Sequence, residues 1–256
     1  MRNIVKRFQD KVVIVTGASA GIGKKAALAF ADEGARVSIS ARRIAEGEEV
    51  ARTIRDKGGE AIFVQTDVTD AEQVEHMVRR TVETWGHLDH AFNNAGIEGP
   101  QKLTHDYSLE EWHEVIDPNL KGIWLSMKYE IREILKVKKG SIVNMSSVLG
   151  LVGTTHHAPY VAAKFGVAGL TKAAALEYAK TGIRVNAVNP AGVRTPMFDR
   201  GISRGTATEE SAANLHPVGR ISEPEEIAAA VLWLCSDESS YVNGHALVLD
   251  GAWTAR

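Results

Sequence analysis

Tyr160 and Lys164 stand four residues apart in Tyr160-Val-Ala-Ala-Lys164, and on a helix that spacing puts a phenol and an ammonium one turn apart on the same face. A free phenol titrates near about 10, too high for a base at neutral pH, but a neighbouring positive charge favours the phenolate and brings proton transfer within range. Such a pair could give a proton to an oxygen or take one from it. A Tyr and a Lys at this spacing are usually a surface pair, so the chemistry needs further groups. Upstream, Thr16-Gly17-Ala18-Ser19-Ala20-Gly21-Ile22-Gly23 follows the apolar run Lys11-Val-Val-Ile-Val15. Glycines there let the backbone turn tightly and aim the free amides of a helix N-terminus at an anion, the arrangement that holds a pyrophosphate. The strand before it and the helix after it distinguish a dinucleotide loop from a plain βα turn.

Both features need a scaffold that brings residues 16–23 and 160–164 together. Short β-rich runs at Lys11–Val15, Arg36–Ser40, Ala61–Gln65, Leu88–Phe92, Ser141–Met145, Arg184–Val188 and Ala246–Leu249 alternate with segments of helical length. The pattern predicts an α/β fold: a single doubly wound domain over residues 1–256 with seven parallel strands flanked by helices. The first helix is expected from Gly23 to Asp32, with Ala26, Ala27 and Phe30 inward and Gly34 ending it. Helix starts are expected where Asp70 precedes Gln73, Ser108 precedes Glu111, and Ser222 precedes Glu225 beside Pro224. Residues 194–220, rich in Gly, Ser, Thr and Arg without a clear period, read as a long connection over a cleft and a candidate lid.

Composition narrows the class. A hydrophobic fraction of 44% with 24% charged residues is that of an ordinary globular protein, and no apolar run approaches the roughly 20 residues that span a bilayer. The basic start Met1–Arg7 runs into a strand rather than an apolar segment and cleavage site, so no secretory leader and a cytoplasmic location are expected. The net charge of -2 gives no overall basic field for nucleic acid. The lone Cys235 lies in an apolar helical stretch and reads as core. His156 and His157 lack the further ligands that a zinc site requires, so no metal is expected.

The spacing of the glycine loop departs from GxGxxG and resembles the TGxxxGIG loop of the short-chain dehydrogenase/reductase family, and the resemblance runs along nearly the whole chain. Asn93-Asn94-Ala95-Gly96 matches the family's NNAG. Ser147 with Tyr160 and Lys164 matches its Ser and YxxxK, and Asn119 in Asn119-Leu-Lys-Gly122 matches its active-site Asn. Asn189-Pro190-Ala191-Gly192 is similar to its PG turn, with Ala191 between the two residues. The resemblance implies a Rossmann fold and hydride transfer between a nicotinamide dinucleotide and a carbonyl or secondary alcohol. It further implies Tyr160 as general acid or base and Ser147 as donor to the substrate oxygen. Lys164 would bind the nicotinamide ribose, and Asn119 would hold a water that links Lys164 to solvent. Ser147 is chosen over Ser146 because the family places its Ser thirteen residues before its Tyr, as here. By the same resemblance Gly17, Ser19, Ala20, Gly21, Ile22 and Gly23 cradle the pyrophosphate. Asp67 and Val68 meet the adenine, Asn94, Ala95 and Gly96 border the adenosine ribose, and Pro190, Gly192, Val193 and Thr195 hold the nicotinamide side. Asp67 as a turn-forming Asx residue and Thr195 as a loop cap remain open alternatives.

At the end of the second strand an acid selects NAD and an arginine accommodates the 2′-phosphate of NADP. Here Ala41 takes the acidic position and Arg42 follows, so NADP(H) is favoured over NAD(H), with Arg43 beside it read more as a surface charge. Glu98, Leu149 and His157 are candidate substrate-pocket residues, and Trp253 could approach the pocket or pack at an interface. A non-catalytic dinucleotide-sensing regulator is the competing reading, argued against by the intact Ser147, Tyr160 and Lys164; a lyase or epimerase with a longer substrate domain has little room. Among reductases, an acyl-carrier-protein substrate would need a basic docking patch, for which Lys136, Lys138 and Lys139 form only a small cluster. A free alcohol, cyclic ketone or sugar is the alternative. The family implies a homotetramer, and the apolar segment Gly244–Trp253 fits a buried interface.

Overall fold

Runs of β-branched and apolar residues bounded by glycine form strands that are buried on both faces, as parallel strands between two helical layers must be. The computed structural model describes residues 6–203, 205 and 208–255; the basic start Met1–Val5, residues 204, 206 and 207 of the 194–220 segment, and residue 256 lie outside the described residues. Strand β1 (Val12–Thr16) is buried at all its positions, as are β4 (His90–Asn93) and β5 (Gly140–Met145). With β2 (Arg36–Ala41), β3 (Glu60–Gln65), β6 (Ile183–Pro190) and β7 (Ala246–Leu249) they form one seven-stranded sheet. Its order is β3-β2-β1-β4-β5-β6-β7 and every pairing is parallel, as expected from the sequence. Strand ends fall within two residues of the sequence-based expectation.

On one face α1 (Gly21–Asp32), α2 (Ile44–Asp56) and α9 (Pro224–Cys235) bury Phe30, Ile54, Val231 and Leu234 against the sheet, with Cys235 in the same core. On the other face α3 (Ala71–Trp85), α5 (Gly122–Val137) and α6 (Ala158–Tyr178) bury Met77, Ile131, Ile134 and Val167. The chain reverses direction across the sheet between β1 and β4, so the loops after these two strands open a crevice at their C-terminal ends. Residues 16–23 and 93–96 lie there, and α6 delivers residues 160–164 from the neighbouring side.

The Asp70 cap and the Ser108/Glu111 box form as the sequence predicts. Ser222 does not cap α9. Pro224 occupies the first helical position, which makes Glu223 the N-cap and Glu226 its partner in the box, while the Ser222 hydroxyl donates to the Gly192 carbonyl at 3.1 Å. Among the described residues no helix is long and apolar enough to cross a membrane.

One buried network has no counterpart in the motifs. Glu130 of α5 is fully buried, its Oε2 accepting from Asn93 Nδ2 at 2.9 Å, and Asn93 continues to Asn144 Oδ1 at 3.2 Å. Asn144 Nδ2 donates in turn to Thr171 Oγ1 at 3.0 Å. Burial pushes the Glu130 carboxyl up to about 8, so near neutrality it is a neutral acid. The folded state therefore keeps a proton that the unfolded chain releases near 4.5, and stability declines as pH rises from there toward about 8. Thermal melts across that window should show the wild type losing stability steeply and Glu130→Gln following a flatter curve; parallel curves would mean that Glu130 does not titrate there.

Candidate active site

The glycine loop is built for close approach. Gly17 and Gly21 hold φ of +65° and +54°, a region that side chains rarely occupy. A Cβ at Gly17 would stand 2.8 Å from Asn94 Nδ2, and one at Gly23 would stand 2.6 Å from the Gly17 carbonyl oxygen. Asn94 fills the space so left, donating from Nδ2 to the Thr16 and Gly17 carbonyls at 3.0 and 3.3 Å, while the Asn94 and Ala95 amides donate to Thr16 Oγ1. Ala20 begins α1 in extended conformation with no side-chain cap and no acid in the first turn. The first-turn amides are thus left for an external anion, and the loop fits the pyrophosphate that the sequence implies.

At the adenosine end, Ala41 ends β2 buried, and Arg42 and Arg43 are exposed beyond it. Arg42 lies 3.9 Å from Asp67 Oδ2. Arg43 reaches the glycine loop itself, donating to Ser19 Oγ at 2.9 Å, a contact that the sequence reading as surface charge did not anticipate. Asp67 makes the Asx turn weighed as its alternative: its Oδ1 accepts from the Thr69 amide and hydroxyl at 3.0 and 2.8 Å. Val68 is buried against Gly122, where a Cβ would come within 2.8 Å of Val68 Cγ2.

Beyond β6, Pro190 precedes a turn in which the Gly192 amide donates to His216 Nε2 at 3.1 Å. His216 is buried, its Nδ1 donating to the Ala212 carbonyl at 2.7 Å, and its ring lies 5.8 Å from that of Trp253. Trp253 thus packs on the turn's support. No motif pointed to His216, because its partners are 24 and 4 residues away with no fixed spacing. Val193 is buried and bridges to Ser222. Thr195 donates to the Val193 carbonyl at 3.2 Å and accepts from Phe198 at the start of α7 (Pro196–Ser203) at 3.4 Å, the loop-cap alternative. Its methyl would still lie 3.3 Å from a Cβ on Gly21, so it also abuts the cofactor loop.

The four residues matched to the family's catalytic positions converge. A π-helical turn at Asp117–Lys121, between α4 (Leu109–Ile116) and α5, turns Asn119 into the interior. Its Nδ2 donates to the Ile97 and Val115 carbonyls at 2.7 and 2.8 Å, and its buried Oδ1 has no partner among the described residues. A Cβ on Gly96 would collide with that Oδ1 and lie 3.8 Å from Lys164 Nζ, so the two atoms border one small space. Lys164 is buried, donates to the Met145 carbonyl at 2.9 Å, and holds Nζ 5.3 Å from the centre of the Tyr160 ring. Ser147 is buried, accepts from the Leu149 amide at 3.1 Å, donates to the Pro190 carbonyl at 3.5 Å, and has its backbone carbonyl held by Asn189 Nδ2 at 2.7 Å; its hydroxyl lowers the Tyr160 pKa. Ser146 instead donates to the Lys164 carbonyl at 3.0 Å and faces away.

The electrostatics differ from the simple expectation that Lys164 lowers the Tyr160 pKa. Burial and the Glu98 charge push the phenol up to about 12, outweighing the Ser147 hydrogen bond, and burial pushes the Lys164 ammonium down to about 7. In the protein alone the phenol stays neutral near neutral pH while the amine is close to half charged, so added positive charge at the site would favour the phenolate.

Glu98 lines a cavity of about 470 Å³ with Ile97, Pro100, Glu111, Met197 and Arg200 among others. His157, the N-cap of α6, holds Glu98 Oε1 at 3.2 Å. Leu149 is half-buried behind Ser147.

Over residues 17–254 the chain matches a family model described as enoyl-(acyl carrier protein) reductase. It is 42% identical to a cyclohexanol dehydrogenase from an Acinetobacter species, covering 98% of this chain and 97% of that one. It is also 42% identical to a 2,5-dichloro-2,5-cyclohexadiene-1,4-diol dehydrogenase from Sphingobium indicum, over 97% and 98% of the two chains. The crystal structure of a levodione reductase superimposes with a TM-score of 0.93 at 36% identity, covering 97% of this chain and 99% of that one. The chain belongs to the short-chain dehydrogenase/reductase family, a family of oxidoreductases that use a nicotinamide dinucleotide. That membership and the named dehydrogenases and reductases among its relatives set aside the non-catalytic regulator.

The Gly96 contact yields a test. Gly96→Ala would force Asn119 off its two carbonyl partners, and steady-state assays should find kcat lower by about tenfold or more, with a cost of about 1–3 kcal/mol in a denaturant melt from overpacking.

Proposed function

We propose that the chain interconverts a secondary alcohol on an alicyclic ring and the corresponding ketone, using NADP(H) in preference to NAD(H). The observation that carries the reading is the convergence of Ser147, Tyr160, Lys164 and Asn119 on the crevice beside the glycine loop. Bound nicotinamide would supply the hydride acceptor for alcohol oxidation and, when oxidised, the positive charge that the buried phenol lacks. Ser147 donates to the substrate oxygen and fixes it beside the Tyr160 hydroxyl. Tyr160 takes the alcohol proton as the carbonyl forms and returns it in the reverse direction. Lys164 steadies the phenolate, and the free Asn119 Oδ1 beside it accepts from the water that carries the proton onward.

Ring alcohols are favoured because relatives at 42% identity over nearly the full chain are named for cyclohexanol and a cyclohexadiene diol. An acyl carrier protein is disfavoured: Lys136 and Lys139 of the small basic cluster are paired with Glu133 and Asp237. NADP(H) is supported by Arg42 and Arg43 at the end of β2, where Ala41 brings no carboxylate. Residues 194–220 act as the lid, α7 supplying Met197 and Arg200 to the cavity wall. The protein works in the cytoplasm as a homotetramer: the edge strand β7 leaves Val248 exposed, and Trp124, Phe165 and Leu176 leave an apolar face on α5 and α6.

Two measurements test this. With a panel of cyclic alcohols and ketones, turnover should be faster with the 2′-phosphorylated cofactor and should fall by at least about 100-fold in Tyr160→Phe, as for loss of the acid–base group. Faster turnover with NAD(H) would reverse the assignment of Arg42. In light scattering, the protein should have the mass of four chains; the mass of one would refute the tetramer.

A further inference from the structure

Glu98 follows Gly96 by two residues, and Gly96 is the point where Asn119 Oδ1 and Lys164 Nζ come together. Its side chain lines the cavity of about 470 Å³, and its charge is felt by Tyr160. The carboxylate is pinned rather than free to rotate. His157 Nδ1 faces the Thr155 carbonyl at 2.9 Å and Nε2 faces Glu98 Oε1 at 3.2 Å. Both partners are acceptors, which the protonated ring satisfies from both nitrogens, and the hydrogen bond to Glu98 raises the His157 pKa.

The surrounding backbone is fixed as well. The Tyr107 hydroxyl lies 2.7 Å from both the Pro100 and the His156 carbonyl, with one proton to share between them, and the Lys102 amide donates to the same His156 carbonyl at 3.1 Å. His156 holds φ of +65° to present that carbonyl. The loop after β4 and the loop before α6 are thereby laced together across the mouth of the site. Gln101 Nε2, at 3.5 Å, also addresses Glu98 Oε1, so among the described residues every hydrogen bond to this carboxylate falls on one oxygen. Oε2 takes none, and Glu98 is one-third exposed.

A carboxylate oxygen with no hydrogen-bond partner among the described residues, on a side chain whose charge acts on Tyr160, recognises a hydrogen-bond donor and repels an anion. We infer that Glu98, positioned by His157, is the second anchoring point of the substrate: its Oε2 accepts from a hydroxyl elsewhere on the ring, favouring diols and hydroxyketones over simple alcohols and disfavouring carboxylated rings. The inference rests on the cyclic-alcohol reading and adds to it the polarity of the distal group. A neutral hydroxyl meets the acceptor with a charge-assisted bond; a carboxylate at the same place meets like charge.

The test compares kcat/KM for cyclohexanol, cyclohexane-1,4-diol and 4-hydroxycyclohexanecarboxylate in the wild type, Glu98→Gln and His157→Gln. Wild type should prefer the diol to cyclohexanol. In Glu98→Gln the diol-to-cyclohexanol ratio should drop about tenfold, the size of a lost charge-assisted hydrogen bond, and the carboxylate-to-cyclohexanol ratio should rise. Any general effect of the Glu98 charge on Tyr160 cancels in these ratios. His157→Gln leaves the carboxylate unpinned and should reduce the diol preference through KM, which gives the same readout if Glu98→Gln folds poorly. Equal loss on all three compounds in both variants overturns the inference and assigns the pair a structural role. No turnover of any of the three by wild type overturns the cyclic-alcohol reading, and this inference with it.

Discussion

The Asn94 amide occupies a space that exists only because Gly17 and Gly23 have no side chains, and the Thr16 and Gly17 carbonyls are fixed by that fit. Through it the end of β4 becomes the reference for the whole site. Asn93, one residue earlier, is tied into the buried Glu130–Asn144–Thr171 network below the sheet's end. Gly96, two residues later, sets the gap between Asn119 and Lys164. A four-residue segment therefore joins the buried Glu130 network, the glycine loop and the Asn119–Lys164 pair. None of the three can move without disturbing the other two.

The second theme is burial of charge. Lys164 is buried and Tyr160 half-buried, and desolvation shifts each against ionisation. The site is thus poised to respond to charge brought in from outside: a cation at the crevice shifts the phenol far more in this dry setting than it would at the surface. Glu98 works in the opposite sense, raising the Tyr160 pKa.

The sequence carried the fold and the site's skeleton because both depend on short-range spacing. Strands of continuous apolar residues, the glycine loop, and Tyr160 with Lys164 one helical turn apart are all set by neighbours in the chain. What escaped was set by distant contacts. His216 supports Gly192 from 24 residues away, Arg43 meets Ser19 across two loops, and Glu130 is buried because Asn93 lies 37 residues before it in sequence yet adjacent in space. Ser222 is not the cap for a local reason: Pro224 fixes the helix start and gives the N-cap to Glu223.

At residue 156 the fold uses the backbone and leaves the side chain idle. The carbonyl accepts from Tyr107 and Lys102, while the imidazole is exposed. Its positive φ is a conformation that asparagine and glycine adopt with less strain than most residues. The loop's shape is therefore decoupled from the identity of this side chain, and position 156 is a place where the rim of the site can be re-lettered over generations, or by an engineer, while the wall behind it stays where it is.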